Sequence, residues 1–328
     1  MSSEMDTSGH LPEPEETYLE GTVIRSTGSW YDVQVDDRII RSKIRGKFRL
    51  AEEEVTNPVA VGDRVTLRTV EDGTGLITEI HERRNRLSRR AAGRRVGMEH
   101  VIAANIDRAW LIQSIRMPKI NPGLIDRFLV MAESNEIPAG IVFNKTDLMR
   151  DSDREAVLEL HDLYAGLGYP LLMTSVVTGE GVQDFREWLS GNISVVAGPS
   201  GVGKSSLLNA VEPGLGLITG EVSEKTSKGK HTTTYASLYP LSTGGYVVDT
   251  PGIREFGIID LEPEELSYYF IEFRPYIPLC RFPNCTHDHE PGCAVKEALE
   301  RGEISDIRYY SYLNILESVR AGEKDVGR

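Results

Sequence analysis

Gly198-Pro199-Ser200-Gly201-Val202-Gly203-Lys204-Ser205 carries the pattern G-x-x-x-x-G-K-[ST]. Upstream, Ile193-Ser194-Val195-Val196-Ala197 reads as a short buried strand. Downstream, Ser205-Ser206-Leu207-Leu208-Asn209-Ala210 opens a helix. Strand, glycine-rich turn and helix in that order make a phosphate-binding loop. The glycines let the backbone curl until successive N–H groups converge on phosphate oxygens, and the helix N-terminus adds its partial positive charge. Gly198 to Ser206 are therefore the expected phosphate-binding residues. Lys204 is expected on the β- and γ-phosphates, where it also serves catalysis, and the Ser205 hydroxyl on Mg²⁺. The flanks match as well as the spacing, which separates this stretch from a turn with a chance lysine.

Two further motifs name the base and the metal. Asp249-Thr250-Pro251-Gly252 follows the apolar strand Gly245-Tyr246-Val247-Val248. Asp249 stands where a second Mg²⁺ contact belongs, and Gly252 closes the motif as a further GTP-binding residue. Asn144-Lys145-Thr146-Asp147 ends the apolar strand Ala139-Gly140-Ile141-Val142-Phe143. N-K-x-D is the guanine-reading motif of GTPases: the Asp147 carboxylate can accept from both guanine N1–H and the 2-amino group, a donor pair adenine lacks. In ordinary GTPases this motif follows the phosphate loop and the D-x-x-G. Here it precedes both, and that order resembles the circularly permuted GTPases.

A β-rich segment upstream, the stretch Lys230-His231-Thr232-Thr233-Thr234 and a Cys/His cluster downstream narrow the resemblance. Together they are similar to the ribosome small-subunit-dependent GTPase family, the RsgA/YjeQ type, from about Tyr18 to the C-terminus. The resemblance implies an α/β architecture: a circularly permuted Ras-like P-loop domain, an N-terminal OB-type β-barrel and a C-terminal zinc-binding α-rich domain. It implies GTP hydrolysis to GDP and phosphate, coupled to late maturation of the small (30S) ribosomal subunit and stimulated by that subunit, with the subunit and its rRNA as partners. It places the Lys145 stem across the base plane. Ser175 falls where GTPases carry a Ser-Ala pair whose backbone N–H groups contact guanine O6; here the run is Thr174-Ser175-Val176, a mild departure for a backbone contact. Residues 212–234 lie where the first switch loop belongs, with Thr233, or Thr232 as the runner-up, expected to sense Mg²⁺ and the γ-phosphate. Ile253 stands after the D-x-x-G, where many GTPases place a water-orienting glutamine. An isoleucine cannot orient water, and the family assigns a catalytic role to the histidine at the position of His231.

The C-terminal cluster is Cys280-x₄-Cys285-x-His287-x₅-Cys293. Three thiolates and an imidazole make a closed tetrahedral Zn²⁺ set of the structural kind. His289 is the alternative ligand; His287 matches the family spacing. One structural Zn²⁺ is expected, since so small a segment buries little core on its own.

The chain has 328 residues, enough for two or three domains. Its 3 cysteines all lie in this cluster, so no disulfide framework exists and a reducing cytoplasm is expected. No run of 18 apolar residues is present, which excludes a membrane helix. The net charge of −13 opposes general attraction to nucleic acid. The distribution matters more than the total. Arg83, Arg84, Arg86, Arg89, Arg90, Arg94 and Arg95 are interrupted by no acidic residue, and Arg89, Arg90, Arg94 and Arg95 are the candidate rRNA contacts, a solvated linker being the other reading. The expected organisation is a disordered tail over 1–17, an OB-type barrel over 18–82 (an SH3-like barrel fits the pattern equally), a basic linker over 83–97, the permuted GTPase domain over 98–265 and the zinc domain with closing helices over 266–328. No coiled-coil pattern is evident, and a monomer is expected. A metabolic kinase is argued against by N-K-x-D. An rRNA-binding assembly factor with a vestigial nucleotide site is argued against by intact Gly203-Lys204-Ser205 and Asp249.

Overall fold

The computed structural model describes residues 17–44, 57–70, 72–90, 99–217, 236–249 and 261–321. The tail before residue 17, the switch residues His231, Thr232 and Thr233, and Gly252 and Ile253 lie outside them, as do Arg94 and Arg95.

Alternating apolar residues build five short strands: β1 (Tyr18–Ser26), β2 (Tyr31–Val35), β3 (Arg38–Ile44), β4 (Arg64–Thr69) and β5 (Gly75–Ile80). Strands β1, β2 and β3 pair antiparallel in succession, β3 pairs parallel with β5, β5 antiparallel with β4, and β4 returns antiparallel to β1. The ring 1-2-3-5-4 is therefore closed, as in an OB-type barrel. Its interior is filled by Val23, Val33, Val35, Ile40, Val65, Leu67 and Ile77. The hairpin turn at Thr27-Gly28-Ser29 places Gly28 at φ 81.

The barrel's exit is pinned by two arginines of the basic segment. Arg83 grips the fully buried Asp63 with a two-pronged contact, Nε to Oδ1 at 2.7 Å and Nη2 to Oδ2 at 2.8 Å, and its Nη2 also donates to Pro58 O at 3.0 Å. Arg84 Nη2 donates to Asp107 Oδ1 at 2.7 Å, while Asp107 Oδ2 accepts from Ile193 N at 2.8 Å. Such forked, charge-assisted bonds fix orientation as well as distance. Residues expected to form a linker thus include internal fasteners. Beyond them β6 (Arg86–Arg90) pairs antiparallel with β7 (Glu99–Ala104), a ribbon that sequence pattern did not show. With Leu87 as the lone apolar residue in β6, there was no alternation to read.

The nucleotide domain follows as alternating strands and helices: β8 (Arg108–Ser114), α1 (Pro122–Ser134), β9 (Ala139–Asn144), α2 (Asp151–Gly166), β10 (Leu171–Thr174), α3 (Val182–Leu189), β11 (Ile193–Ala197), α4 (Lys204–Val211), β12 (Ser237–Pro240) and β13 (Tyr246–Asp249). The sheet order is β10-β9-β8-β11-β13-β12, parallel except for β12. Strands buried on both faces read as continuous apolar runs, as β8 and β9 do. One face packs Ile125, Phe128, Leu129, Val157 and Tyr164 of α1 and α2. The other packs Phe185, Leu189, Leu207, Leu208 and Val211 of α3 and α4. The chain enters at β8, inside the sheet, and reaches the phosphate loop only after visiting the β10 edge. Among the described residues the bridge of Arg25 to Ser237 joins β1 to β12 and makes barrel and sheet continuous.

The C-terminal part runs through short 3-10 turns over 266–279, then α5 (Ala294–Glu300) and α6 (Asp306–Arg320). It is clamped to the nucleotide domain by a buried charge cluster. Arg308 of α6 donates to Asp126 Oδ1 of α1 at 2.6 Å and to both oxygens of Glu272 at 2.6 and 3.0 Å. Asp126 also accepts from Tyr164 Oη at 2.8 Å, and Arg308 lies 4.5 Å above the Phe270 ring. Among the described residues no helix is long and apolar enough to cross a membrane.

Asp126 and Arg308 are both fully buried. Removing one partner would strand the other charge out of water. Arg308→Ala is expected to lower stability by about 3–5 kcal/mol, the range for breaking a buried ion pair. Urea denaturation followed by tryptophan fluorescence checks this; an unchanged midpoint would show that the cluster contributes nothing.

Candidate active site and metal centre

Both nucleotide-reading motifs sit at strand ends on one edge of the parallel sheet, the position where open α/β folds bind ligands. From β11 the chain turns through residues 198–203 into α4. Gly198 has φ 140, and a Cβ there would lie 2.2 Å from Ile112 O of β8. Gly201 and Gly203 also have positive φ, 82 and 94. Val202 is fully buried in the α3–α4 face and anchors the loop. Lys204 folds back over it, donating to Gly198 O at 2.7 Å and Pro199 O at 2.8 Å. Ser205 and Ser206 lie in the first turn of α4, whose leading N–H groups have no intrahelical acceptor.

The N-K-x-D turn is bonded directly to this loop. Asn144, 2% exposed, donates from Nδ2 to Val202 O at 2.9 Å and accepts at Oδ1 from Thr174 Oγ1 at 2.9 Å. Lys145, at φ 63, donates from Nζ to Gly201 O at 2.5 Å and to Met117 O at 2.8 Å. Burial lowers its pKa, with Asp147 pulling the other way. Asp147 is exposed, and its Oδ1 accepts from the buried Ser175 Oγ at 2.5 Å. Ser175 Oγ in turn accepts from Val177 N and Thr178 N, both at 3.2 Å. The structure thus brings together Asn144, Lys145, Asp147, Ser175 and the loop 198–206. Pattern reading passed over Thr174 and Met117. Thr174 meets Asn144 only through the strand register, which the sequence does not show, and Met117 acts through a backbone carbonyl that no residue type announces.

Asp249 ends β13, which pairs parallel with β11 through Val195 and Val248, so its backbone reaches the same edge. Its side chain lies outside the described residues, as do those of Arg89 and Arg90. These two residues stand in β6 opposite His100 and Glu99.

The second cluster is Cys280, Cys285, His287 and Cys293, whose ligand atoms all lie within 4.8 Å of one another. His287 Nδ1 is 3.3 Å from Cys293 Sγ and 3.5 Å from Cys280 Sγ. Zn–N and Zn–S bonds at tetrahedral angles would put such donors about 3.6 Å apart, so the set fits. His289, the alternative ligand, is instead 3.7 Å from Asp288 on the surface. The turn between ligands is braced from α6: Tyr309 Oη donates to His287 O at 2.7 Å and Tyr312 Oη to Thr286 O at 2.6 Å. Burial pushes the Cys285 thiol up to about 12 and the His287 imidazole down to about 4. Such surroundings favour a neutral ring and make thiolates tenable only around a cation.

Residues 80–259 match the family model described as RsgA GTPase, and residues 20–77 that of the RsgA N-terminal domain. The chain belongs to the RsgA GTPase family. It is 44% identical over 306 residues to the small ribosomal subunit biogenesis GTPase RsgA of Phocaeicola vulgatus, covering 93% of this chain and 98% of that one. To the same-named protein of Christiangramia forsetii it is 43% identical over 311 residues, covering 94% and 97%. Among solved structures, YjeQ from Thermotoga maritima superposes with a TM-score of 0.78 at 39% identity, over 95% of this chain and all (100%) of that one. YloQ, a circularly permuted GTPase, superposes with a TM-score of 0.74 at 30% identity, over 94% and 98%. This RsgA-family chain is therefore a GTP-hydrolysing enzyme with an OB-type barrel and a permuted nucleotide domain, the resemblance drawn from motif order.

In this RsgA-family site Gly203 is where the phosphate loop and the N-K-x-D turn meet. A Cβ there would lie 2.5 Å from Asn144 Nδ2, on a backbone at φ 94. Gly203→Ala is expected to weaken GTP binding about tenfold or more, from strain of the order a positive-φ side chain imposes. Nucleotide titration with a circular-dichroism control for folding reads this directly; wild-type affinity would mean that the joint yields.

Proposed function

We propose that the enzyme hydrolyses GTP in an Mg²⁺-dependent reaction stimulated by the small (30S) ribosomal subunit, and that it acts in the late maturation of that subunit. The observation that carries the nucleotide half is the direct bonding of Asn144 and Lys145 to the phosphate loop, which sets the base-reading and phosphate-reading groups at one edge. The ribosomal half is supported by the relatives whose name says small ribosomal subunit biogenesis, aligned over nearly their whole length. In this proposal Asp147 reads guanine N1–H and the 2-amino group. Ser175 offers backbone N–H to O6, and the N–H groups of 198–206 with Lys204 hold the phosphates. Ser205, Asp249 and Thr233 hold Mg²⁺, Gly252 senses the γ-phosphate, and His231 accepts a hydrogen bond from the attacking water. The working form is a cytoplasmic monomer.

Arg89, Arg90, Arg94 and Arg95 are proposed as rRNA contacts. What supports them is subtraction: Arg83 of the same segment is spent on the buried Asp63, and Arg84 is paired with Asp107 at the surface. The acidic chain needs local basic surface to meet phosphate.

The Cys₃His centre is proposed to hold one structural Zn²⁺. Metal analysis of the purified protein is expected to give one zinc per chain. Cys285→Ala is expected to lose it and loosen the C-terminal helices, with guanine nucleotide still bound. A zinc-free wild type would refute the assignment.

The deciding experiment is GTP turnover with and without purified small subunits, run beside Asp147→Asn. Addition of subunits is expected to raise turnover of the wild type. The variant is expected to lose GTP and gain xanthosine triphosphate, whose carbonyl replaces the guanine amino group. Turnover indifferent to subunits would sink the ribosomal half, and unchanged base preference the nucleotide half.

A further inference from the structure

We propose that Glu180 is a positioning residue for guanine recognition: it locks the loop 175–181 to the N-K-x-D turn, so that Asp147 is aimed before nucleotide arrives. The inference rests on the assignment of Asp147 to the base. Thr146, between Lys145 and Asp147, is 8% exposed, and its Oγ1 donates to Glu180 Oε2 at 2.5 Å. The main chain of Glu180 is held as well, since its carbonyl accepts from Ser175 N at 2.9 Å. Ser175 then donates through Oγ to Asp147 Oδ1. These three bonds close a ring that runs from Thr146 through Glu180 and Ser175 to Asp147 and back along the chain. Glu180 is itself exposed, but its backbone is bracketed on both sides. Gly179 N bonds Ser175 O at 2.9 Å on one side. On the other, Gly181 stands at φ 63 with space for a Cβ denied by Met173 O at 2.1 Å.

A hydroxyl donating to an ionised carboxylate is among the stronger single contacts a loop can make. Without Glu180, the turn around Thr146 and Asp147 would keep Ser175 to Asp147 as its tie to the loop, beside the Thr174–Asn144 bond at the strand ends. The incoming guanine would then have to order them itself, which weakens binding. A carboxylate free to turn would also lose the second of its two contacts to guanine first. The cost would fall on KM and on the choice between guanine and hypoxanthine, whose base lacks the 2-amino group, rather than on kcat.

The test compares Glu180→Ala, Glu180→Gln, Thr146→Val and the Glu180→Ala/Thr146→Val pair, with GDP dissociation read by stopped-flow fluorescence and affinities for GTP and ITP by titration. Glu180→Ala is expected to speed GDP release about tenfold and to narrow the preference for GTP over ITP, as loss of one charge-assisted bond would. Glu180→Gln keeps an acceptor for the Thr146 hydroxyl and is expected to restore most of both. The double variant is expected to be no worse than either single one, since both remove the same bond. Wild-type release and preference in Glu180→Ala, or additive losses in the pair, would overturn the proposal. Asp147→Asn run in parallel separates the two failures. If it shifts preference to xanthosine while Glu180→Ala changes nothing, the positioning role falls and the base assignment stands. If it shifts nothing, both fall.

Discussion

The side-chain amide of Asn144 is the joint on which the nucleotide site depends. One buried group donates to the phosphate loop at Val202 O and accepts from Thr174 at the end of the neighbouring strand. Both halves of the amide are thereby satisfied away from water, which a buried polar group requires. The joint is possible because β10, β9, β8 and β11 run parallel, so all their C-terminal ends open on one edge. Chain order does not matter to that geometry. A permuted sequence can present base-reading and phosphate-reading loops in reverse order and still close them against each other. The glycine at 203 is the other half of the joint, since any side chain there would meet the amide.

A second joint ties the far end of the chain to the same domain. Arg308 brings α6 against α1 through Asp126 and draws in Glu272, and Tyr164 donates to the same Asp126 oxygen. The desolvation of charges so deeply buried offsets much of their attraction, so the intact cluster adds little net stability although losing one partner is costly. Helix α1 follows directly from β8 and the Met117 carbonyl that holds Lys145. Lys145 and the seat of the Cys₃His domain are thus anchored at the two ends of one short segment. At the other end of the domain, Arg83 and Arg84 set the barrel in the same way, each by a carboxylate that is also held by backbone N–H.

Much of this was legible in the sequence, for a definite physical reason. A phosphate loop needs glycines at set positions, a metal centre needs its donors within a few residues, and a guanine reader needs a carboxylate at a strand end. These demands are local, so residue type and spacing reveal them. Gly198, Lys204, Asn144, Asp147 and the cluster from Cys280 to Cys293 were proposed on that ground, and the five barrel strands were readable from their alternation. The reversed motif order also pointed to a permuted domain. What no local pattern could disclose was pairing across distance. Arg83 belongs to Asp63 and Arg308 to Asp126, separations of 20 and 182 residues. Strand β6 exists because β7 lies beside it, and Glu180 reaches Thr146 only after the sheet has set β9 and β10 side by side. By itself the sequence determined which chemistry the chain carries and the elements that carry it, because those are set by neighbours along the backbone. Only the tertiary structure decided which arginines face inward and which loops are locked, because those bonds form between groups that meet when the sheet and the buried core have assembled.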